Sequence, residues 1–370
     1  MVMNPRFYPT KQPRSAALAS IKLSHSFPER QFVVRIKLLQ LAIVFVALAF
    51  ISQIDARAQN RDRSMASASS ALMSSLPESD AVAQVKLNQL LTEAMPKVLA
   101  NNPTKLGEIN AQIERFKDRT GLDPRMFQQV ALGIRFTYPA EGVTKVEAVA
   151  LANGSFSAAA MMAAGRVASN GKYREETYKE KPIYIFNLEE NIRMLGLFDL
   201  RIGELAATPL DANTLALGDP AGVRNLLDAR GANKRVNAEL IALASRDPNA
   251  VIGFGSNLNE KLINNLDIGN APIAADLRTL RQVYGSVGTT ESDLQLFLAA
   301  RAVNPQAARN LSDTLEGLKQ FGALLVGRLA GAKGVLAKSA LSNMQIVSDA
   351  NELQIRTRVA QAEVGPLFGY

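Results

Sequence analysis

The chain has 370 residues, with 42 Lys+Arg against 34 Asp+Glu, one His, and neither Cys nor Trp. The single His is His25, close to the start, so Ser-His-Asp and Cys-His mechanisms are excluded downstream, as are zinc sites built on His or Cys. The net charge of +8 points at first to nucleic acid, but its distribution removes that reading. Residues 1–58 hold eight of the basic residues (Arg6, Lys11, Arg14, Lys22, Arg30, Arg35, Lys37, Arg57) and two acids (Glu29, Asp55), which leaves 34 basic against 32 acidic residues, a net of +2.

Arg30, Arg35 and Lys37 precede an apolar run from Leu41 to Ile51, closed by Ala56-Arg57-Ala58 with Gln59 next. A basic segment, a short apolar segment and a small-x-small site together read as a secretory signal peptide over residues 1–58. The expectation is an exported protein, periplasmic or extracellular, in a bacterial cell envelope. The apolar run is shorter than the roughly 20 residues a span requires. Kept uncleaved, residues 38–54 would instead tether the protein to the inner membrane, and only then is membrane contact expected. The lack of Cys excludes a lipid-modified cysteine and disulfides, which a chain this long can forgo because its core is large enough.

Residues 59–75 are small and polar and read as a flexible linker. Ala81 to Val85 reads as a strand. A helix then carries Leu106, Ile109, Ile113 and Phe116 on one face and closes at Thr120-Gly121. Asp123-Pro124 starts a short helix. Val130, Leu132, Ile134, Phe136 and Tyr138 alternate, which predicts a half-buried strand. Lys145 to Ala152 is a second strand, Ser157 to Ser169 an Ala/Met-rich helix, and Asn170-Gly171 a turn. The charged segment Lys172 to Lys181 leads into a strand at Ile183–Phe186, Leu215–Leu217 is another, and Asp219-Pro220 begins the helix of Val223, Leu226 and Leu227.

Similar elements then recur. Asn249–Phe254 echoes Asp80–Val85, and Leu294–Ala300 echoes Val146–Ala152. Asp211-Ala-Asn-Thr-Leu-Ala-Leu217 matches Asp349-Ala-Asn-Glu-Leu-Gln-Ile355, each a polar turn entering a strand. Three echoes in one order predict an α+β fold of two similar units, residues 76–232 and 246–364, of largely antiparallel strands covered by helices, either separate or one continuous domain. The last strand alternates Leu353, Ile355, Thr357, Val359 with Gln354, Arg356, Arg358, so one face there is expected to be wet. With the leader, the 211–217 and 349–355 segments resemble uncharacterised exported bacterial proteins with tandem α+β units. The likeness spans roughly residues 76–364, and it implies no activity and no functional residues.

The chemistry on offer is sparse. Ser169-Asn-Gly-Lys172 has the Ser-x-x-Lys spacing of penicillin-recognising enzymes, but Asn170-Gly171 breaks the helix between the two and no partner motif is present. A helix cap with a turn is the simpler account. The charges of Lys172, Arg174, Glu175, Glu176, Lys179, Glu180 and Lys181 read as a solvated hairpin guarding an edge strand. Met161 and Met162 among alanines read as core, with a lipid or peptide groove as the sharper alternative. Gly327, Gly331 and Gly334 lack dinucleotide-binding spacing. Arg356 and Arg358 share a strand face and could hold an anion, although a solvated basic face is simpler. The resulting expectation is a non-enzymatic binding or scaffold protein of the envelope, without cofactor, metal or assigned catalytic residue. Its partner is an envelope protein, a lipid or a small ligand. The alternative is a carboxylate-dependent hydrolase acting on glycan or peptide, which needs only two acids.

Overall fold

In the computed structural model, the described residues are 70–140, 143–194, 198–232, 234–265, 271–326, 329 and 331–365. The expected signal peptide and cleavage site lie outside them. So does the expected linker up to residue 69. Its remainder departs from a tether: residues 70–74 are helical, and Met73 is fully buried. Leu72 and Met73 supply the apolar anchor that the surrounding Ser and Ala hide.

One antiparallel sheet organises the chain. Its first strands are β1 (Ala81–Val85), β2 (Phe127–Ala140), β3 (Val143–Gly154), β4 (Tyr173–Tyr178), β5 (Lys181–Met194), β6 (Phe198–Pro209) and β7 (Thr214–Gly218). The rest are β8 (Ile252–Asn257), β9 (Leu280–Thr289), β10 (Asp293–Ala302), β11 (Gln345–Asp349) and β12 (Glu352–Ala360). The order across the twelve strands is β11-β12-β10-β9-β8-β1-β2-β3-β7-β6-β5-β4. β1 and β8 meet at the centre, with Ala83 opposite Phe254. The charged β4 is an edge strand, and its turn to β5 places Lys179 and Glu180 both at positive φ (47° and 62°), as a tight hairpin requires.

Helices cover both faces. α1 spans residues 87–98, with a π-helical turn at Leu90–Ala94. It is followed by α2 (Pro103–Thr120), α3 (Ala158–Ala168), α4 (Pro220–Ala232), α5 (Ala238–Ala244), α6 (Glu260–Asn264) and α7 (Ala271–Arg278). α8 (Pro305–Val326), α9 (Gly331–Ser342) and α10 (Gln361–Val364) complete the set. Residues 73–76, α4 and α5 pack on one face through Met73, Leu76, Val223, Leu226, Leu240 and Leu243. α1, α2, α9 and α10 cover the other beside β1, β9, β10 and β12, flanked by α3 on the β7 side and α8 on the β12 side. Each fully buried Leu or Met contributes about 1.5–3 kcal/mol relative to exposure, so two such layers account for disulfide-free stability.

Local signals explain the helix ends. Asn102 caps α2 by accepting from the Lys105 N–H (3.0 Å). Gly121 ends α2 at φ 67°, and there a Cβ would stand 2.4 Å from the Gly165 nitrogen. Ser157 caps α3 by accepting from Ala160 N–H (3.3 Å), and Asp211 makes the expected polar turn through Asn213 N–H (3.1 Å).

β2 differs from a half-buried strand. Ile134 and Phe136 are buried as alternation predicts, but Gln129 and Ala131 on the opposite face are buried as well. Layers on both faces of the sheet require this, and residues as small as Ala131 and Gly133 leave little hydrophobic signal. The recurrent segments occupy matching registers. Ala152 lies opposite Leu215 and Ala300 opposite Leu353, while Val130 pairs with Ala152 and Val283 with Ala300. Continuing inward, Val130 faces Val85 and Val283 faces Ser256. Val85 therefore matches Ser256 rather than Phe254, two residues from the echo read in the sequence.

Candidate functional site

The α4/α5 layer does not reach the β12 end of the sheet. Strand alternation puts Tyr284 and Ser286 of β9, Gln295, Phe297 and Arg301 of β10, and Glu352, Gln354, Arg356 and Arg358 of β12 on one face, with Tyr284 under the margin of α5 and Arg356 and Arg358 exposed beyond it. The loop after α5 adds Arg246 and Asp247 at its margin.

The inner part is a cluster of arginines, rings and one carboxylate. Tyr284 is fully buried and stands edge-on to Phe297, with ring centres 5.9 Å apart. Arg246 lies over both rings, 5.1 Å from the centre of Tyr284 and 5.7 Å from that of Phe297. It donates to the Tyr284 hydroxyl and to Glu352 (3.0 Å). Arg301 reaches Glu352 (3.4 Å) and Glu239 (2.8 Å). Burial, then the hydrogen bond to Glu352, push the Tyr284 phenol well above its ordinary pKa, against the pull of Arg246 and Arg301. Burial pushes the Glu352 carboxyl up, but hydrogen bonds from Tyr284 and Gln354 and the charge of Arg246 outweigh it, and it sits below its ordinary value.

The outer part is open. Arg356 lies over Phe297, its guanidinium carbon 4.5 Å from the ring centre, and donates to the neutral Gln354 amide (3.1 Å). Among the described residues neither Arg356 nor Arg358 has a carboxylate partner. Both line a groove of about 470 Å³ with Gln295, Ser286, Asp247 and Asn343. Asp247 accepts from Ser286 within the groove (3.2 Å) and from the Asn249 N–H (3.0 Å). Two residues two apart on a strand have Cα atoms roughly 7 Å apart and side chains on one face, and each guanidinium can grip an anion by two parallel hydrogen bonds.

The other sequence candidates resolve into structure. Ser169 caps α3, its hydroxyl donating to the Arg166 carbonyl (2.8 Å), and Lys172 follows through the turn at Asn170 (φ 49°) and Gly171 (φ 78°). Among the described residues, three of the seven hairpin charges are paired: Arg174 with Glu204, Glu176 with Arg224 (2.7 Å), and Lys179 with Asp228 (2.6 Å). Arg174 and Glu204 both line an open groove of about 870 Å³ beside β4, so that groove's charge is partly neutralised. Met161 and Met162 are buried against the sheet. Gly327 lies outside the described residues, and Gly331 and Gly334 belong to α9.

Three acids, Glu78, Glu147 and Asp228, line the cavity of about 200 Å³ beneath α4. Glu147 there accepts from Lys145 (3.1 Å) and Asn225 (3.3 Å), and Asp228 from Tyr178 (3.0 Å). The displaced carboxyls, Asp123, Glu176, Asp228 and Glu352, all lie below their ordinary values, whereas a general acid needs its pKa raised. No group of three or more acids positioned for a metal occurs among the described residues.

Arg356 and Arg358 were visible in the sequence as a same-face pair. Phe297 and Arg246 were not, because only strand pairing brings β10 and the loop after α5 beside β12. No known family model matches the chain, and no curated protein does. Solved structures of TP0453 are similar. Crystal form IV aligns with a TM-score of 0.42 and 10% identity, over 82% of this chain and 99% of that one. Crystal form I gives 0.40 and 11%, over 80% and 96%. Likeness of this degree transfers no ligand and no activity.

Proposed function

We propose that the chain is an exported, non-catalytic binding protein of the bacterial cell envelope whose ligand carries an anionic group held by Arg356 and Arg358. The observation that carries this reading is the contrast within one face: Arg246 and Arg301 are neutralised by Glu352 and Glu239, while Arg356 and Arg358 line an open groove in which the one carboxylate, Asp247, forms no ion pair with either. Phe297 orients Arg356 from below, and Gln295 and Asn343 add neutral hydrogen-bonding groups. Export rests on the leader of residues 1–58. The matching registers of the 146–152/211–217 and 294–300/349–355 segments support two similar units, 76–232 and 246–364, sharing one sheet. Beyond β7 and β12, β6 corresponds to β11, and only the first unit adds β4 and β5.

The test uses inorganic phosphate as probe, at constant ionic strength set with chloride. A ligand that binds only the folded state raises stability by mass action. The unfolding temperature of the native chain rises with phosphate, and that of Arg356→Ala/Arg358→Ala does not. An equal rise in both would remove the anion site from this groove.

A further inference from the structure

α8 begins on the sheet and ends off it. Ala308 and Leu311, in its first turns, are buried against β10 and β12. Beyond them, Leu318 is 45% exposed, Phe321 60%, Leu324 75% and Leu325 44%, and past the end of the helix Leu329 is 53% and Val335 of α9 55% exposed. Six of the twelve large apolar residues exposed among the described residues thus fall within 318–335. That is a patch rather than scatter. Side chains exposed to this degree do not serve the core.

The charge around the patch has one sign. From Gly317 to Ser348 the sequence holds no Asp or Glu and carries Lys319, Arg328, Lys333 and Lys338. Lys319 pairs back to Glu316 (3.4 Å), whereas Lys333 and Lys338 have no carboxylate partner among the described residues. A second copy docked through the same surface would set cations against cations, since a two-fold interface joins a patch to itself. An apolar tip with a cationic surround matches a bilayer of anionic lipid, in which acyl chains take the rings and aliphatic groups and headgroups take the ammonium groups. No helix among the described residues is long and apolar enough to cross a membrane, so the contact is one of lying on the surface.

We propose that the end of α8 and the following α9 dock on the surface of an anionic lipid bilayer through Phe321, Leu324 and Leu325, with Lys333 and Lys338 holding the headgroups. This contact is independent of the Arg356/Arg358 groove, and it needs no retained leader.

The chain contains no Trp, so Phe321→Trp in the full chain gives a single local fluorescence probe, and Leu324→Trp an independent second one. With phosphatidylglycerol-containing vesicles, the emission of each shifts to shorter wavelength and is shielded from an aqueous quencher. With pure phosphatidylcholine vesicles the shift is much weaker. Adding Lys333→Glu and Lys338→Glu raises the lipid concentration at half-shift by roughly tenfold or more, from the cost of about 1 kcal/mol per basic residue near an anionic surface. Val167→Trp, on the exposed side of α3, stays unshifted. The proposal is overturned by no shift on anionic vesicles, by equal shifts on neutral and anionic vesicles, or by the same shift at Val167→Trp. It is overturned also by a lipid-free shift that grows with protein concentration, which would identify a second copy as the occupant.

Discussion

Arg356 and Phe297 are direct cross-strand partners on β12 and β10, and the Arg356 guanidinium carbon lies 4.5 Å from the centre of the Phe297 ring. The opposite side of the cluster repeats the contact, with Arg246 5.7 Å from the same ring centre. Phe297 therefore separates a neutralised arginine from an unneutralised one and orients both.

Phe297→Leu keeps an apolar side chain but removes the ring face. The expected cost is about 0.5–1 kcal/mol of stability from lost cation–π contacts, read by urea unfolding. Phosphate binding weakens as well, because Arg356 loses its platform. A stability change without a binding change would mean that Phe297 does not orient Arg356.

Glu352→Gln leaves Arg246 and Arg301 with a neutral partner, and the expected destabilisation is about 1–2 kcal/mol near neutral pH. The pH dependence has a definite sign. The native carboxyl sits below the ordinary value of 4.5, so its contribution is complete above that value and is lost as pH falls through the native pKa. Unfolding free energy measured from pH 7 downward therefore falls less steeply in Glu352→Gln than in the wild type below about pH 4.5. Parallel acid limbs would show that Glu352 is not a source of the acid sensitivity.

Gly121→Ala tests the junction of α2 and α3. The backbone there has φ 67°, and the added methyl would stand 2.4 Å from the Gly165 nitrogen. The strain of positive φ costs about 1 kcal/mol, and the collision adds to it. The expected result is a loss of at least about 1 kcal/mol in unfolding free energy. Gly171→Ala, also at positive φ but with open space around it, is expected to cost less. Equal losses would leave the close approach without energetic weight.

Elements with local signatures were legible: the cap at Asp123, the helix start at Ser157, the helix stop at Thr120-Gly121, the turn at Asn170-Gly171, and the alternation of Val130 to Tyr138. The charged segment 172–181 was readable as an edge because solvated charges and tight turns are local properties. β6, β9 and β11 were not read. β9 uses Gly285 and Gly288 beside buried Tyr284 and Val287, so its alternation is blurred. The candidate site was half legible. Arg356 and Arg358 announce themselves on one strand, but the ring beneath Arg356 comes from β10 and the neighbouring cation from the loop after α5. Contacts between segments that far apart in sequence leave no periodicity to read.

The central claim is tested most directly by native mass spectrometry on the protein purified gently from its own host's envelope, alongside Arg356→Ala/Arg358→Ala. The expected spectrum is a chain beginning at Gln59 that carries a bound anionic species, with that species lost from the double variant. A wild-type chain without any bound species, or a species kept equally by the double variant, would contradict it.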